Sequence, residues 1–180
     1  VITVFTIGHS SLSIGAFVGI LRAHHLERVV DVRSWPASRR HPHFTREPLE
    51  RSLHDAGVDY HWEKDLGGRR RPGRGPSAHT AIAEPMFRAY VDHLNSREAS
   101  EAIQRLLDVS RTTLTAVMCA ERDPARCHRS FLADRLVALR LASVVHVLDE
   151  RNAELHVLPE GLLVRGESLV YADAQQSLIS

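Results

Sequence analysis

Apolar residues recur along the chain in two rhythms. Short continuous runs rich in Val and Ile alternate with longer stretches in which apolar positions return every three or four residues. The first pattern reads as a buried strand and the second as a helix packed by one face. Strands are predicted at Ile2–Ile7, Val29–Val32, Val58–Trp62, Leu114–Met118 and Val144–Leu148. A helix is predicted over Leu12–Leu26, with Ile14, Phe17, Val18 and Leu21 on one face and Ser11 or Ser13 as its cap. Others are predicted over Thr45–Ala56, stopped by Gly57, over Glu84–Asn95 and Arg97–Val109, and over Cys127–Leu141. Leu155–Tyr171 reads as short extended pieces turning around Glu160-Gly161.

Strand alternating with helix predicts an α/β fold. The expectation is a single three-layer domain over residues 1–180, with a mainly parallel central sheet of about five strands and helices on both faces. Residues 148–180 form a C-terminal extension of short strands in this reading, and no repeat or linker divides the chain. Right-handed crossovers put the loops that follow the strands along one edge, where ligands of such sheets bind. The polar runs of interest all follow predicted strands: Gly8-His9-Ser10, Asp31–Arg40, Glu63–Arg74 and Cys119–Arg129.

Composition narrows the classes. With 43% hydrophobic and 25% charged residues in 180, the chain is neither disordered nor collagen-like nor a disulfide scaffold. No window approaches the ~18 apolar residues of a membrane span, and Val1–Gly8 is too short for a signal peptide, so a cytoplasmic protein without a membrane role is expected. The net charge of +1 gives no general pull toward nucleic acid. Lys64 is the only lysine, so arginine supplies 22 of 23 cations. That bias reads as GC-rich codon usage or as bidentate forks for phosphate and carboxylate. Local placement separates the two. The segment Asp65–Ser77, DLGGRRRPGRGPS, reads as a basic loop that orders when something binds it.

Candidate chemistry concentrates in MCAERDPARCHR, residues 118–129, which joins a buried strand to a helix start. Backbone N–H groups there favour anions and lower a thiol pKa. Cys127 is the stronger nucleophile candidate; Cys119 reads equally as a small buried residue at a strand end. A disulfide between them is not expected in a reducing compartment. The spacing does not favour a metal either, because Cys127 and His128, adjacent on a helix, would point about 100° apart. Asp31 and Arg33 share a strand face, as an acid/base group with a substrate clamp or as a structural pair. His9 can act at the cleft as a neutral ring, and Ser10 follows it. Arg39, Arg69 and Arg129 supply further cations, while Gly67-Gly68 permits close approach to a ligand. Trp35 and Phe44 read either as core or as a stacking surface.

Taken together, Thr6-Ile7-Gly8-His9-Ser10, Asp31-Val32-Arg33-Ser34 with Pro36 and Ser38-Arg39, Phe44, Tyr60, Leu66-Gly67-Gly68-Arg69, Cys119-Ala120-Glu121 and Cys127-His128-Arg129 resemble the domain of unknown function 488 family. The resemblance covers about residues 3–147. It implies a single α/β domain found mainly in prokaryotes, with no assigned reaction.

The expectation from the residues is an enzyme, a hydrolase or transferase, acting on a phosphate-bearing substrate that is a nucleotide or related to nucleic acid. Glu121, Asp31, His9, Cys119 and Cys127 are the catalytic candidates. Ser10, Arg33, Arg39, Gly67, Gly68, Arg69, His128 and Arg129 are the substrate-binding ones. The partner is an anionic small molecule or a nucleic acid, and no cofactor is named. The competing expectations are a nucleic-acid-binding module without catalysis, a metal-dependent hydrolase or sensor using the Cys/His cluster, and a redox-sensing thiol protein.

Overall fold

The computed structural model describes residues 2–173. Each of the five apolar runs forms a strand: β1 (Thr3–Gly8), β2 (Arg28–Asp31), β3 (Asp59–Trp62), β4 (Thr115–Cys119) and β5 (Ser143–Val147). They lie in the order β3-β2-β4-β1-β5, every neighbour parallel. A sixth strand, β6 (Ala153–Leu155), extends the sheet beyond the expected five and pairs antiparallel with β5. It is short and exposed, with no apolar alternation to announce it.

Two helical layers cover the sheet. On one face α1 (Ile14–Ala23) and α2 (Arg46–Asp55) set Phe17, Leu21, Leu49 and Leu53 against Ile7, Val29, Ala116 and Met118. On the other, α3 (Pro85–Leu94), α4 (Arg97–Ser110) and α5 (Arg129–Ala138) set Tyr90, Leu94, Ile103, Leu106, Leu132 and Leu136 against Val4, Val30, Val117 and Val144. The period-two alternation of a strand divides β4 between these cores: Ala116 and Met118 enter one, Val117 and Cys119 the other. Each fully buried Leu or Phe contributes about 1.5–3 kcal/mol. A three-layer α/β architecture follows.

The element ends differ from the expectation where polar chemistry intervenes. Ser13, not Ser11, caps α1, its Oγ accepting from the Ala16 amide at 3.1 Å. The last helix begins at Arg129 rather than Cys127. Pro124–Arg126 forms a 3-10 turn, and Cys127 has extended backbone at φ −132 and ψ 150. The tail turns at Glu160-Gly161 as expected, Gly161 having φ 78, and its hairpin forms at the turn that follows. Strands β7 (Leu162–Arg165) and β8 (Ser168–Tyr171) pair around Gly166, whose φ of 61 suits glycine. Leu169 and Tyr171 dock this hairpin on Ile82 and Val91. Val1 and residues 174–180 of the expected domain lie outside the described residues. Among the described residues no helix is long and apolar enough to cross a membrane.

The parallel register brings the strand ends together. Gly8 pairs with Cys119 and Asp31 with Met118. Hydrogen bonding continues past the strands: the His9 amide donates to the Cys119 carbonyl, Ser10 to Ala120, Val32 to Met118, and Glu63 to Asp31, at 2.9–3.0 Å. The four polar loops therefore leave one edge of the sheet.

Candidate functional site

A cleft of about 1010 Å³ opens at that edge. His9, Arg33, Ser34, Trp35, Arg39, Gly68, Arg69, Cys119, Glu121, Arg126, Cys127 and His128 line it, together with Met86 and Phe87 from the start of α3. Residues as far apart in sequence as His9 and His128 thus share one wall. Ser10 is outside this lining. Its backbone is left-handed, φ 46, and its amide donates to the Ala120 carbonyl.

The floor is a sulfur–imidazole cluster. Cys119 ends β4, and the 3-10 turn at Pro124–Arg126 returns the chain so that Cys127 and His128 meet it. The two sulfurs and one imidazole nitrogen all lie within 4.8 Å of one another. Because Cys127 is extended rather than helical, the 100° divergence expected for adjacent helical residues does not arise. Its Sγ lies 3.5 Å from His128 Nδ1. His128 Nε2–H donates to the Val32 carbonyl at 3.0 Å, which leaves Nδ1 to face the sulfurs. A hydrogen bond from Cys119, with the His128 ring and the Arg129 cation beside it, holds the Cys127 thiol well below its ordinary range. Burial and the neighbouring sulfur push Cys119 up.

Arg129 is 1% exposed and spends its donors internally. Nε donates to Cys119 Sγ at 2.9 Å, Nη1 to Thr6 Oγ1 at 3.2 Å, and Nη2 to the Glu121 carbonyl at 2.5 Å. Arg33 is equally committed. Nε and Nη2 close on the Asp31 carboxylate at 2.9 and 2.6 Å, and Nη1 donates to the Phe44 carbonyl at 2.7 Å. Neither guanidinium is the free phosphate clamp that the sequence suggests. Asp31 is fully buried and also accepts from the Tyr60 hydroxyl at 2.7 Å, so it does not reach the cleft as a proton-transfer group would. Burial and this carboxylate push the Tyr60 phenol up, keeping it a donor.

His9 is buried and stacked on Phe44, ring centroids 4.1 Å apart. Nδ1–H donates to the Ser10 carbonyl at 3.0 Å and Nε2 faces Arg33 Nη1 at 3.4 Å. Burial and the Arg33 cation lower its pKa to about 4. The ring is neutral, and Phe44 is core rather than a stacking surface.

The glycines serve the protein's own packing. A Cβ on Gly67 would lie 2.7 Å from Ser34 Oγ, and one on Gly68 would lie 2.4 Å from the His128 ring. They let the loop after β3 press on these two residues, and Gly68 also lines the cleft. This half of the expected mobile loop is held: Arg70 binds the Gly67 and Asp65 carbonyls, and Leu66 to Gly68 are buried.

Around the floor stand the exposed groups. Arg39, Arg69 and Arg126 face the cleft, and no carboxylate pairs with them among the described residues. Arg69 lies over the ring of Trp35, 5.5 Å from its centroid, and Trp35 is 66% exposed. Glu121 is the acidic residue of the lining and is exposed. Arg126, Met86 and Phe87 were not singled out from the sequence. Arg126 was findable by its place beside Cys127, whereas Met86 and Phe87 reach the cleft only through tertiary packing.

No curated protein and no solved structure matches the chain. The family model described as "Domain of unknown function DUF488" matches residues 13–136. That span holds three of the six strands of the sheet, the whole Cys119–Arg129 segment and more than half of the 180 residues, and the chain belongs to the DUF488 family.

Proposed function

We propose that the protein is an enzyme acting on a phosphate-bearing substrate, of nucleotide or nucleic-acid type, in the cleft at the sheet edge. One observation carries the reading: three exposed arginines without carboxylate partners surround a floor of two cysteines and a histidine. A planar guanidinium left unpaired over a concave site is suited to bidentate capture of phosphate. Arg39, Arg69 and Arg126 bind the anionic group in this reading. Glu121 moves the proton, since its exposed carboxylate lies at the rim beside them. Cys119, Cys127 and His128 form the reaction centre. Trp35 gives a base or sugar an apolar face next to Arg69.

The test is turnover. The protein is incubated with nucleoside mono-, di- and triphosphates, sugar phosphates and short oligonucleotides, and products are read by phosphorus NMR. Arg39→Ala, Arg69→Ala and Arg126→Ala are each expected to lower kcat/KM by about 10-fold or more. Glu121→Gln is expected to lower kcat by ~100-fold. Unchanged turnover in all four variants overturns the assignment. Oligonucleotide binding with a steep salt dependence and no turnover would instead make the cleft a nucleic-acid-binding surface.

A further inference from the structure

We propose that Cys119, Cys127 and His128 bind a single zinc-type divalent ion, with three protein donors and a fourth position open to the cleft. This deepens the reading above by naming what the floor holds. Ion binding does not require turnover, so the two can fail separately.

Geometry is the first argument. A tetrahedral zinc with ligands at ~2.0–2.3 Å holds its donor atoms roughly 3.3–3.8 Å apart. The Cys127 sulfur and His128 Nδ1 stand 3.5 Å apart, and the Cys119 sulfur completes a triangle with no side longer than 4.8 Å. Two thiol sulfurs with an imidazole form a soft set that selects zinc over magnesium or calcium.

The second argument is the support behind each donor. A ligating histidine donates its other ring N–H to a fixed acceptor, which sets the tautomer and aims the lone pair. His128 does this through the Val32 carbonyl at 3.0 Å. The ring is also held edge-on by Tyr90, centroids 5.1 Å apart, and backed by Gly68, where a Cβ would strike it. Arg129 Nε donates to the Cys119 sulfur at 2.9 Å. A guanidinium has donors only, so this sulfur is built to accept, as a ligating thiolate does.

Charge is the third argument. Arg129 is buried and has no carboxylate partner among the described residues. Two thiolates, a divalent ion and this guanidinium sum to one positive charge beneath the cleft. Hydroxide or a phosphate oxygen in the fourth position would neutralise it. The sulfurs then serve as ligands rather than as nucleophiles.

The test uses the full chain, reduced and purified without chelator. Metal analysis is expected to give about one zinc per chain, and zinc-edge X-ray absorption a shell of two sulfurs with nitrogen or oxygen. Cobalt titrated into chelator-stripped protein should give one equivalent of tetrahedral spectrum with sulfur-to-metal charge transfer. Cys119→Ser and Cys127→Ser should abolish that band, and His128→Gln should weaken cobalt binding roughly 100-fold. The absorption measurement needs no variant, so a variant that fails to fold leaves the test standing. A cobalt stoichiometry far below one, or a metal shell without sulfur, overturns the proposal. So does recovery of Cys119 and Cys127 as a disulfide that forms before metal can bind. Turnover by protein that holds no metal and takes up no cobalt overturns this proposal and leaves the phosphate reading in place. Tight stoichiometric zinc without turnover on any phosphate substrate does the reverse.

Discussion

Asp31 and Arg33 stand two residues apart at the end of β2 and close on each other inside the protein, Oδ2 to Nη2 at 2.6 Å. The pair is 0% and 7% exposed, and its spare capacity goes to Tyr60 and to the Phe44 carbonyl. Its role is to fix the loop that carries Ser34, Trp35 and Arg39 toward the cleft.

Removing one member should therefore act on stability. Asp31→Asn leaves the Arg33 cation buried without its anion and is expected to cost about 3–5 kcal/mol. Chemical denaturation of the purified variant reads this directly. Arg33→Lys should not rescue the site, because a single ammonium cannot hold both oxygens of Asp31 and also reach Phe44. An Asp31→Asn protein as stable as the parent but without turnover would give Asp31 a chemical role instead.

Two of the buried histidines, His9 and His146, set a pH dependence. Burial holds both His9 and His146 at about 4, with the Arg33 cation adding for His9 and the His156 and Arg129 groups for His146. An unfolded histidine takes its proton near 6.5. Between those values the unfolded chain binds more protons than the folded one, so stability falls as pH drops from about 6.5 toward about 4 and levels below. Each ring contributes on the order of 1–3 kcal/mol across that window. Urea midpoints measured through it should fall. His9→Gln should flatten part of the slope, and an unchanged slope would remove His9 from the account.

Much of this arrangement is legible in the chain, and the illegible parts share a cause. The central β4 follows from the run Thr115–Cys119, which is buried on both faces and needs no alternation, while the half-exposed edge strand β3 follows from its β-rich composition. β6 escapes because Ala153–Leu155 is exposed throughout and held only by edge pairing. That His9, Trp35, Gly68 and Cys127 meet is deducible from strand order and crossover handedness. Which arginines are free is not. Arg33 and Arg39 carry the same charge, but the Asp31 carboxylate two residues away and the Phe44 carbonyl take up Arg33, whereas no carboxylate among the described residues takes up Arg39. The convergence of Cys127 with His128 was hidden for a local reason: one extended residue ahead of α5 reverses the helical geometry assumed for the pair.

Gly8 is a position where backbone meets backbone. A Cβ there would lie 1.8 Å from the Glu121 carbonyl oxygen and 2.8 Å from the Arg122 Cα. Neither atom belongs to a side chain that can swing aside. Gly8→Ala is expected to push the loop after β4 outward and to cost about 3 kcal/mol, the upper end for overpacking. Gly73→Ala, with nothing within 4 Å, is expected to change stability by less than about 0.5 kcal/mol. Thermal unfolding of the two proteins side by side checks the contrast.

A hydrogen-bond chain runs from the cleft floor between α5 and the sheet, and both of its ends dictate its direction. Arg129 only donates and Asp134 only accepts. Between them Thr6 Oγ1 takes the Arg129 proton at 3.2 Å and gives its own to His146 Nδ1 at 2.7 Å. His146 Nε2 then donates to His156 Nδ1 at 2.9 Å, and His156 Nε2 to Asp134 at 2.8 Å, where the Tyr171 hydroxyl also arrives at 2.6 Å. Thr6 is the one link that both accepts from a cation and donates to a ring. Thr6→Val keeps the shape and deletes the hydroxyl, leaving an Arg129 N–H and a His146 nitrogen unpaired in the interior. It is expected to cost about 2–3 kcal/mol, against about 1 kcal/mol or less for Thr6→Ser, which keeps both bonds. Denaturant midpoints separate the two outcomes. A Val protein as stable as the parent, with the loss falling on Ser instead, would mean that Thr6 contributes by packing alone.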